Sequence, residues 1–335
     1  MPTPWDTILS YARRYPSPHN TQPIKLRIDG LSAEIFYDLD LGLPAGDAYG
    51  IPFGSVAAGI FIETVSIAAH SLGYSVAERL DFTPMDFTSG DRLHPLGVLT
   101  LEPSAEPIDD LAPDLLLSRR TSRLRYEQRP VPPAVMDEAR RMAGNYDQTL
   151  AGTSERRLVD EVIAVNQRTL FYDLEKPAMR EEIQGYLRYS ERQARTPGDG
   201  LSARCLGLPG PLLRVIMGNY WVWKIPVLSA GLKQIYLRSM RGVAHVAWMK
   251  GPFANERDYT VAGRAFLRVW LLLSSHGLYL HPFGSVITNP RSHRELVAAV
   301  GEDEGTDMIW MLFRVGYSAQ PPESHRRELR ELVLG

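Results

Sequence analysis

The chain has 335 residues, 44% of them apolar and 23% charged, enough apolar material for one large packed domain or two smaller ones. Its formal net charge of −2 gives no overall pull toward nucleic acid or anionic membranes, and its single cysteine, Cys205, excludes an intramolecular disulfide framework and a cysteine-cluster metal site. No basic segment followed by an apolar run opens the chain, and no apolar run reaches ~18 residues, so a soluble, cytoplasmic protein is expected.

Asp6 to Tyr15 reads as a short helix stopped by Pro16 and Pro18. The loop Pro16-Ser17-Pro18-His19-Asn20-Thr21-Gln22-Pro23 follows, with four consecutive hydrogen-bonding side chains from His19 to Gln22. Turn chemistry alone uses such residues, but their density points to a ligand. Ile24 to Ile28 and Ala33 to Tyr37 alternate about Asp29-Gly30 and predict a hairpin. Leu41 to Tyr49 is a connection. Val56 to Leu72, with Glu63 its only formal charge, predicts a helix buried nearly all round and ended by Gly73. Strands are expected at Ser75 to Phe82 and Gly97 to Leu101.

Ser118-Arg119-Arg120-Thr121-Ser122-Arg123-Leu124-Arg125-Tyr126 then packs four arginines and three aliphatic hydroxyls into nine residues. Guanidinium forks and hydroxyls suit a phosphate, whereas the plainer reading is a solvated basic turn. Helices are expected at Pro132 to Ala143, Arg156 to Leu174 and Pro177 to Ser190. No acidic residue occurs between Asp199 and Glu256, an interval with seven lysines and arginines among Tyr220, Trp221, Trp223, Tyr236 and Trp248. A lid or pocket wall ranks first for residues 200–250, plain packing second and membrane contact last. Val243 to Met249 reads as a strand, Ala262 to His276 as a second core helix, and Gly277 to Ser285 as a loop with free backbone donors near Gly284. Met308 to Tyr317 is an apolar strand in which Arg314 needs a partner or a route to solvent. The tail carries His325-Arg326-Arg327.

Ala58-Gly59 with Gly73, and Ala262-Gly263 with Gly277, repeat one interval around the two core helices. Two copies of one unit, residues 1–104 and 112–335, could form within one chain the two-fold interface that a homodimer supplies.

Four segments in order give the chain a resemblance to the flavin-dependent nitroreductase family, in particular its single-chain, twin-domain, Acg-like branch. They are Pro16 to Pro23, Arg119 to Arg123, Gly277-Leu278 through Pro282-Phe283-Gly284, and Phe313 to Tyr317 with Pro321, Pro322, Arg326 and Arg327. The pattern departs from the family's at Ile24, at Glu63-Thr64 and at Leu124. The resemblance implies an α+β nitroreductase-like fold duplicated in one chain, a pseudo-dimer with a lid-like insertion and one FMN in the groove between copies. It implies that Arg120, Thr121 and Arg123 hold the phosphate and ribityl chain and that Arg326 and Arg327 close on the phosphate. Ser17, His19 and Asn20 would come from the first copy, and Phe283 and Gly284 would offer backbone contacts at the reactive edge. Arg238 or Arg241 would stabilise the reduced ring, and Tyr220 and Trp223 would line the substrate space.

The function so implied passes hydride from NADH or NADPH through flavin to a flat nitro, quinone or enone acceptor, with natural-product tailoring as a variant. The partner is a small molecule, large, apolar or anionic. No metal spacing, phosphate-binding glycine loop or hydrolase elbow is present. The alternatives are a non-catalytic flavin-sequestering protein and a flavin-less scaffold.

Overall fold

Apolar and charged residues alternate through β1 (Ile24–Asp29) and β2 (Ser32–Asp38), which pair antiparallel from Ile24 opposite Tyr37 to Asp29 opposite Ser32. The computed structural model describes residues 3–44, 51–105, 109–303, 305 and 307–335, so 45–49 of the expected Leu41 to Tyr49 connection lie outside the described residues. With β3 (Tyr74–Leu80) and β4 (Leu93–Pro103), the hairpin forms an antiparallel sheet in the order β1-β2-β4-β3. A second antiparallel sheet has the order β5-β8-β10-β9, from β5 (Thr149–Thr153), β8 (His245–Gly251), β9 (Tyr279–Pro282) and β10 (Met308–Gly316). The two-residue strands β6 (Leu187–Arg188) and β7 (Leu201–Ser202) pair in parallel between them in sequence.

Both sheets follow one plan: the third strand in sequence is an edge and the fourth is central. In each, a long helix joins the second strand to the third: Phe53–His70 in the first and Glu256–Ser275 in the second. A shorter helix precedes each sheet and packs on its long helix, Pro4–Ala12 on the first and Pro133–Gly144 on the second. Every residue from Gly54 to Ala69 is buried, as its nearly continuous apolarity requires. That helix is long and apolar enough to cross a membrane, but here it forms the protein's core.

The two long helices cross on glycine. A Cβ on Gly59 would lie 2.0 Å from the Thr260 carbonyl oxygen, and one on Gly263 would lie 2.1 Å from that of Val56. Residues 59 and 263 play the same part, and so do 260 and 56. Beside the crossing, Glu63 is buried and paired with Arg268 (2.5 Å) and Arg264 (3.5 Å), which explains the lone charge of that helix.

Segments then cross between the sheets. Thr121 bridges Leu280 in parallel at the β9 edge, and Val333 bridges Leu26 at the β1 edge, where the Leu334 N–H donates to Leu26 O at 2.7 Å. Gly30-Leu31 alone joins β1 to β2, but residues 154–244 intervene between β5 and β8. That insertion includes helices Arg156–Glu175, Pro177–Gly185, Gly210–Gly218 and Pro226–Ser239.

Several expectations need correction. Gly277 to Ser285 is not a free loop but contains β9 and the start of helix Gly284–Thr288, because Tyr279 to Pro282 pairs with β10. The helix from Pro177 ends at Gly185, where the chain turns into β6. Strand β5 and helix Pro290–Val300 were not foreseen.

Candidate functional site

The loop before β1 is held in an unusual backbone shape. His19, Asn20 and Gln22 have φ of 47°, 58° and 54°, a region that costs a non-glycine residue roughly 1–3 kcal/mol. Its side chains supply the compensation. Ser17 Oγ accepts from the Gln22 N–H at 2.9 Å, and Gln22 Nε2 donates to Gly198 O at 2.9 Å. Asn20 Nδ2 donates to Gly200 O (3.3 Å) and His325 O (3.2 Å), while its Oδ1 accepts from Arg326 at 2.8 Å. The loop is thus pinned between the inserted segment and the tail.

Beside it lies a cluster of guanidiniums brought from three parts of the chain. Arg119 is buried, lies 4.2 Å over the Trp270 ring and donates to Arg14 O at 3.2 Å. Arg326 donates to the same carbonyl at 3.3 Å, and its buried Nε has no partner among the described residues. Arg14 and Arg120 (3.3 Å) share the half-exposed Glu323 carboxylate. Burial, reinforced by Arg14 and Arg120, pulls Arg326 down to about 9. Burial, then Arg326, Arg14 and Arg120, holds Arg119 well below the usual arginine range. Glu323 offsets part of this like charge from the solvent side, and the buried Nε of Arg326 still lacks an acceptor among the described residues.

A second positive set lies nearby. Arg123 makes no hydrogen bond or ion pair among the described residues, and burial lowers its affinity for its proton, with Arg314 acting in the same direction. Arg314 is fully buried on β10, opposite His281 on β9. It donates to Ser239 O (3.0 Å), Ser122 O (3.1 Å) and Leu124 O (3.1 Å) and lies 4.5 Å over the Tyr126 ring. These carbonyls are the partners its sequence position demanded, yet its Nε and His281 Nδ1 stay unpaired. Burial and then Arg123 lower His19 to about 4 and push His281 well below its usual range. The His19 ring lies parallel to that of Tyr186, 6.2 Å away.

The expected residues therefore divide. Asn20 meets Arg326 and His19 lies close enough to Arg123 to feel its charge, while Ser17 closes its own loop on Gln22 and Thr121 bridges Leu280 at the β9 edge. Arg120 meets the tail through Glu323, at a cleft of about 480 Å³ lined also by Arg13, Arg14 and Leu117. Arg327 turns to Asp199 and Glu331 (3.6 Å), with its N–H on Gln22 Oε1 at 3.0 Å. Phe283 is buried edge-on to His281, but its N–H is spent on Leu312 O at 2.7 Å and is not free for a ligand. Gly284 faces Phe53, whose ring a Cβ would meet at 3.4 Å. Tyr220 and Trp223 lie apart, under Arg180 (4.4 Å) and against Phe171 (5.1 Å). Arg238 and Arg241 are exposed, so Arg123 and Arg314 are the arginines at the buried end. Arg14, His281 and the inward course of Arg119 escape the sequence reading, because their meeting depends on chain crossings.

The unpaired donors fit an anionic group such as a phosphate. The inserted segment packs closely on the tail beside this loop: a Cβ on Gly198 would lie 2.4 Å from Arg326 O, and Cys205 Sγ lies 3.8 Å from Glu323 O.

The histidines make stability fall with acid. Unfolded, His19 and His245 take up a proton near 6.5; folded, burial holds both to about 4. The stability present above pH 6.5 is lost as pH drops toward 4. Asp173, raised to about 6 by burial, opposes this between 3.8 and 6. The melting temperature should therefore decline from pH 7 to pH 5, and less steeply in His19→Asn. A flat wild-type profile would contradict the account.

No family model matches the chain, and no curated protein matches it. Among solved structures, it is similar to the FMN- and NADPH-dependent nitroreductase NfnB of Sphigopyxis sp. strain HMH, at 15% identity, covering 66% of this chain and 97% of that one, with TM-score 0.41. It is similar to the FMN-dependent nitroreductase NfnB of Mycobacterium smegmatis in complex with NADPH (15% identity, 65% and 94% covered, TM-score 0.39). It is also similar to a nitroreductase with bound FMN from Bacteroides fragilis (12% identity, 64% and 92% covered, TM-score 0.36). At 12–15% identity none of the three carries residue roles over to this chain.

Proposed function

We propose that the chain is an FMN-dependent oxidoreductase of nitroreductase type that passes hydride from NADH or NADPH to a flat nitro, quinone or enone acceptor. The observation that carries the reading is the set of buried nitrogens with no hydrogen-bond partner among the described residues, Arg326 Nε, Arg314 Nε and His281 Nδ1, with the half-buried, unbonded Arg123 near His281 and a strained loop from the other half of the chain. Buried polar groups are rarely left unpaired, so a ligand is the economical partner.

The two sheet-and-helix units are read as copies of one fold, residues 1–104 and 112–335, meeting as an internal pseudo-dimer. The matched strand orders and the reciprocal Gly59 and Gly263 contacts support this. The insertion at 154–244 belongs to the second copy; of the lid expected at 200–250, residues 245–250 are instead part of the central strand β8 and helix Pro226–Ser239 buries no residue, so we assign the lid to 186–205, which meets Asn20, Gln22 and the tail.

When bound, FMN supplies the hydride chemistry. Arg119 and Arg326 would hold the phosphate, and Thr121 would complete that end. Arg120 and Arg327 join this shell only by leaving Glu323 and Asp199. His19 would orient the cofactor from the first copy, and Ser17 and Asn20, whose polar atoms are engaged within the protein, would hold the loop that carries it. Arg123, backed by Arg314 and the neutral His281, would supply positive charge beside the bound ring.

A second reading, flavin sequestration, is favoured by the roof of 198–205 on Asn20 and Gln22. Reconstitution with FMN followed by stopped-flow reduction with NADPH separates the two. Rapid bleaching that an added quinone reverses is expected. Bound flavin that NADPH leaves yellow would favour sequestration, and failure to take up FMN would overturn both readings.

A further inference from the structure

Of the eleven large apolar side chains exposed among the described residues, eight fall within 212–237. Val227 is 80% exposed and Trp221 57%, and Ile225 and Leu228 are exposed with them. Helix Pro226–Ser239 has no buried residue at all. It is tethered along one side, through Tyr236 to Asn166, Lys233 over the Phe171 ring (4.9 Å) and Ser239 O to Arg314. A helix in water draws most of its stability from burying an apolar face, and this one leaves its apolar side chains uncovered.

The charge pattern selects the cover. The patch lies inside the acid-free interval, and Lys224, Lys233, Arg238 and Arg241 are exposed around it. A second copy would set cations against cations, whereas an anionic surface complements them. Tryptophan and aliphatic side chains among lysine and arginine form the composition that settles at the boundary between lipid headgroups and chains. We infer that the arm from Gly210 to Arg241 docks on an anionic lipid surface, with the turn from Trp221 to Leu228 entering the interface. The net charge of −2 concealed this in the whole chain, because the cations of the arm are balanced elsewhere. The inference stands apart from the flavin reading, since no residue of the proposed cofactor shell belongs to the patch.

The test is flotation of the full chain with vesicles of phosphatidylcholine alone and of phosphatidylcholine with one-third phosphatidylglycerol. Binding to the anionic vesicles is expected at low salt, with a blue shift of tryptophan emission, and should weaken at high salt. Val227→Asp with Leu228→Asp, and separately Lys224→Gln with Arg238→Gln, should each reduce partitioning by about ten-fold or more. Both pairs are exposed, and an unchanged melting temperature confirms that the variants are folded. Failure to float with anionic vesicles at low salt would overturn the inference, as would equal binding to neutral ones. So would a dimer in sedimentation velocity that Val227→Asp dissociates, since a second copy would then cover the face.

Discussion

Arg123→Met is expected to make the apo-protein more stable and its hold on FMN weaker. The two effects have opposite sign because Arg123 gives nothing to the rest of the chain: it makes no hydrogen bond or ion pair among the described residues and shares its surroundings with Arg314, His19 and His281. Removing an unpaired, half-buried cation near Arg314 relieves a repulsion and part of a desolvation penalty, and methionine retains the apolar stem's packing. A gain of about 1 kcal/mol is the scale to expect, a few degrees in melting temperature for a chain of this length. The loss on the ligand side is larger. A charge-assisted hydrogen bond to an anion contributes roughly 1.5–3 kcal/mol, so FMN affinity should drop by about 10- to 100-fold. Thermal melts with and without FMN, together with fluorescence titration, read both signs. A structural arginine would behave differently: its removal would destabilise the apo-protein. That result, or unchanged affinity, would sink the assignment. Arg120→Ala is the useful contrast, since it breaks a pair with Glu323 and hydrogen bonds to the Leu117 and Arg119 carbonyls, and should destabilise the apo-protein by about 1 kcal/mol, the opposite sign to Arg123→Met.

The sequence makes some of this legible and hides the rest for identifiable reasons. The β1–β2 hairpin and both long helices follow from periodicity, because each buries a face, or a whole surface, against a neighbour. The Ala-Gly pairs show in the sequence as a repeat around the two helices, and that the helices cross on these glycines follows only from their packing. Strand β5 escapes because it is short and interrupted by Gly152, whose absent side chain makes room for His245 Nε2, 2.7 Å from where a Cβ would sit. Helix Pro290–Val300 could have been found: Asn289 caps it, accepting from the N–H groups of Arg291 and Ser292. The site is less legible than the fold. Arg119 and Arg120 are neighbours, and composition cannot say which turns inward. The choice is made by the extended backbone at Arg119 (ψ 131°), which ends the short helix Asp114–Ser118 and aims that guanidinium at Trp270. Arg14 and Arg326 lie 312 residues apart and meet only because the tail returns to the β1 edge.

Gly59→Ala and Gly263→Ala together should destabilise the chain by about 3 kcal/mol or more, lowering the melting temperature by on the order of 10 °C. Intrinsic propensity argues the other way, since alanine is favoured over glycine inside a helix by about 1 kcal/mol. Geometry decides the sign. Each new Cβ would lie near 2 Å from a carbonyl oxygen of the facing helix, and these are backbone atoms that no rotamer change can move. Relief requires the helices to separate, which loosens the packing around Phe61, Phe266 and Trp270 and pulls Glu63 from Arg268. Gly231→Ala supplies the control. It occupies the interior of helix Pro226–Ser239, where a Cβ would meet nothing within 4 Å, so the propensity term alone should act and stability should hold or rise. Urea unfolding of the three proteins distinguishes close approach from helix propensity as the reason for glycine at the crossing. The proposed cofactor shell draws on both halves, so the double variant should also take up less FMN than wild type at the same temperature. Full FMN uptake by a chain that has lost this stability would mean that the site does not depend on how the two long helices meet.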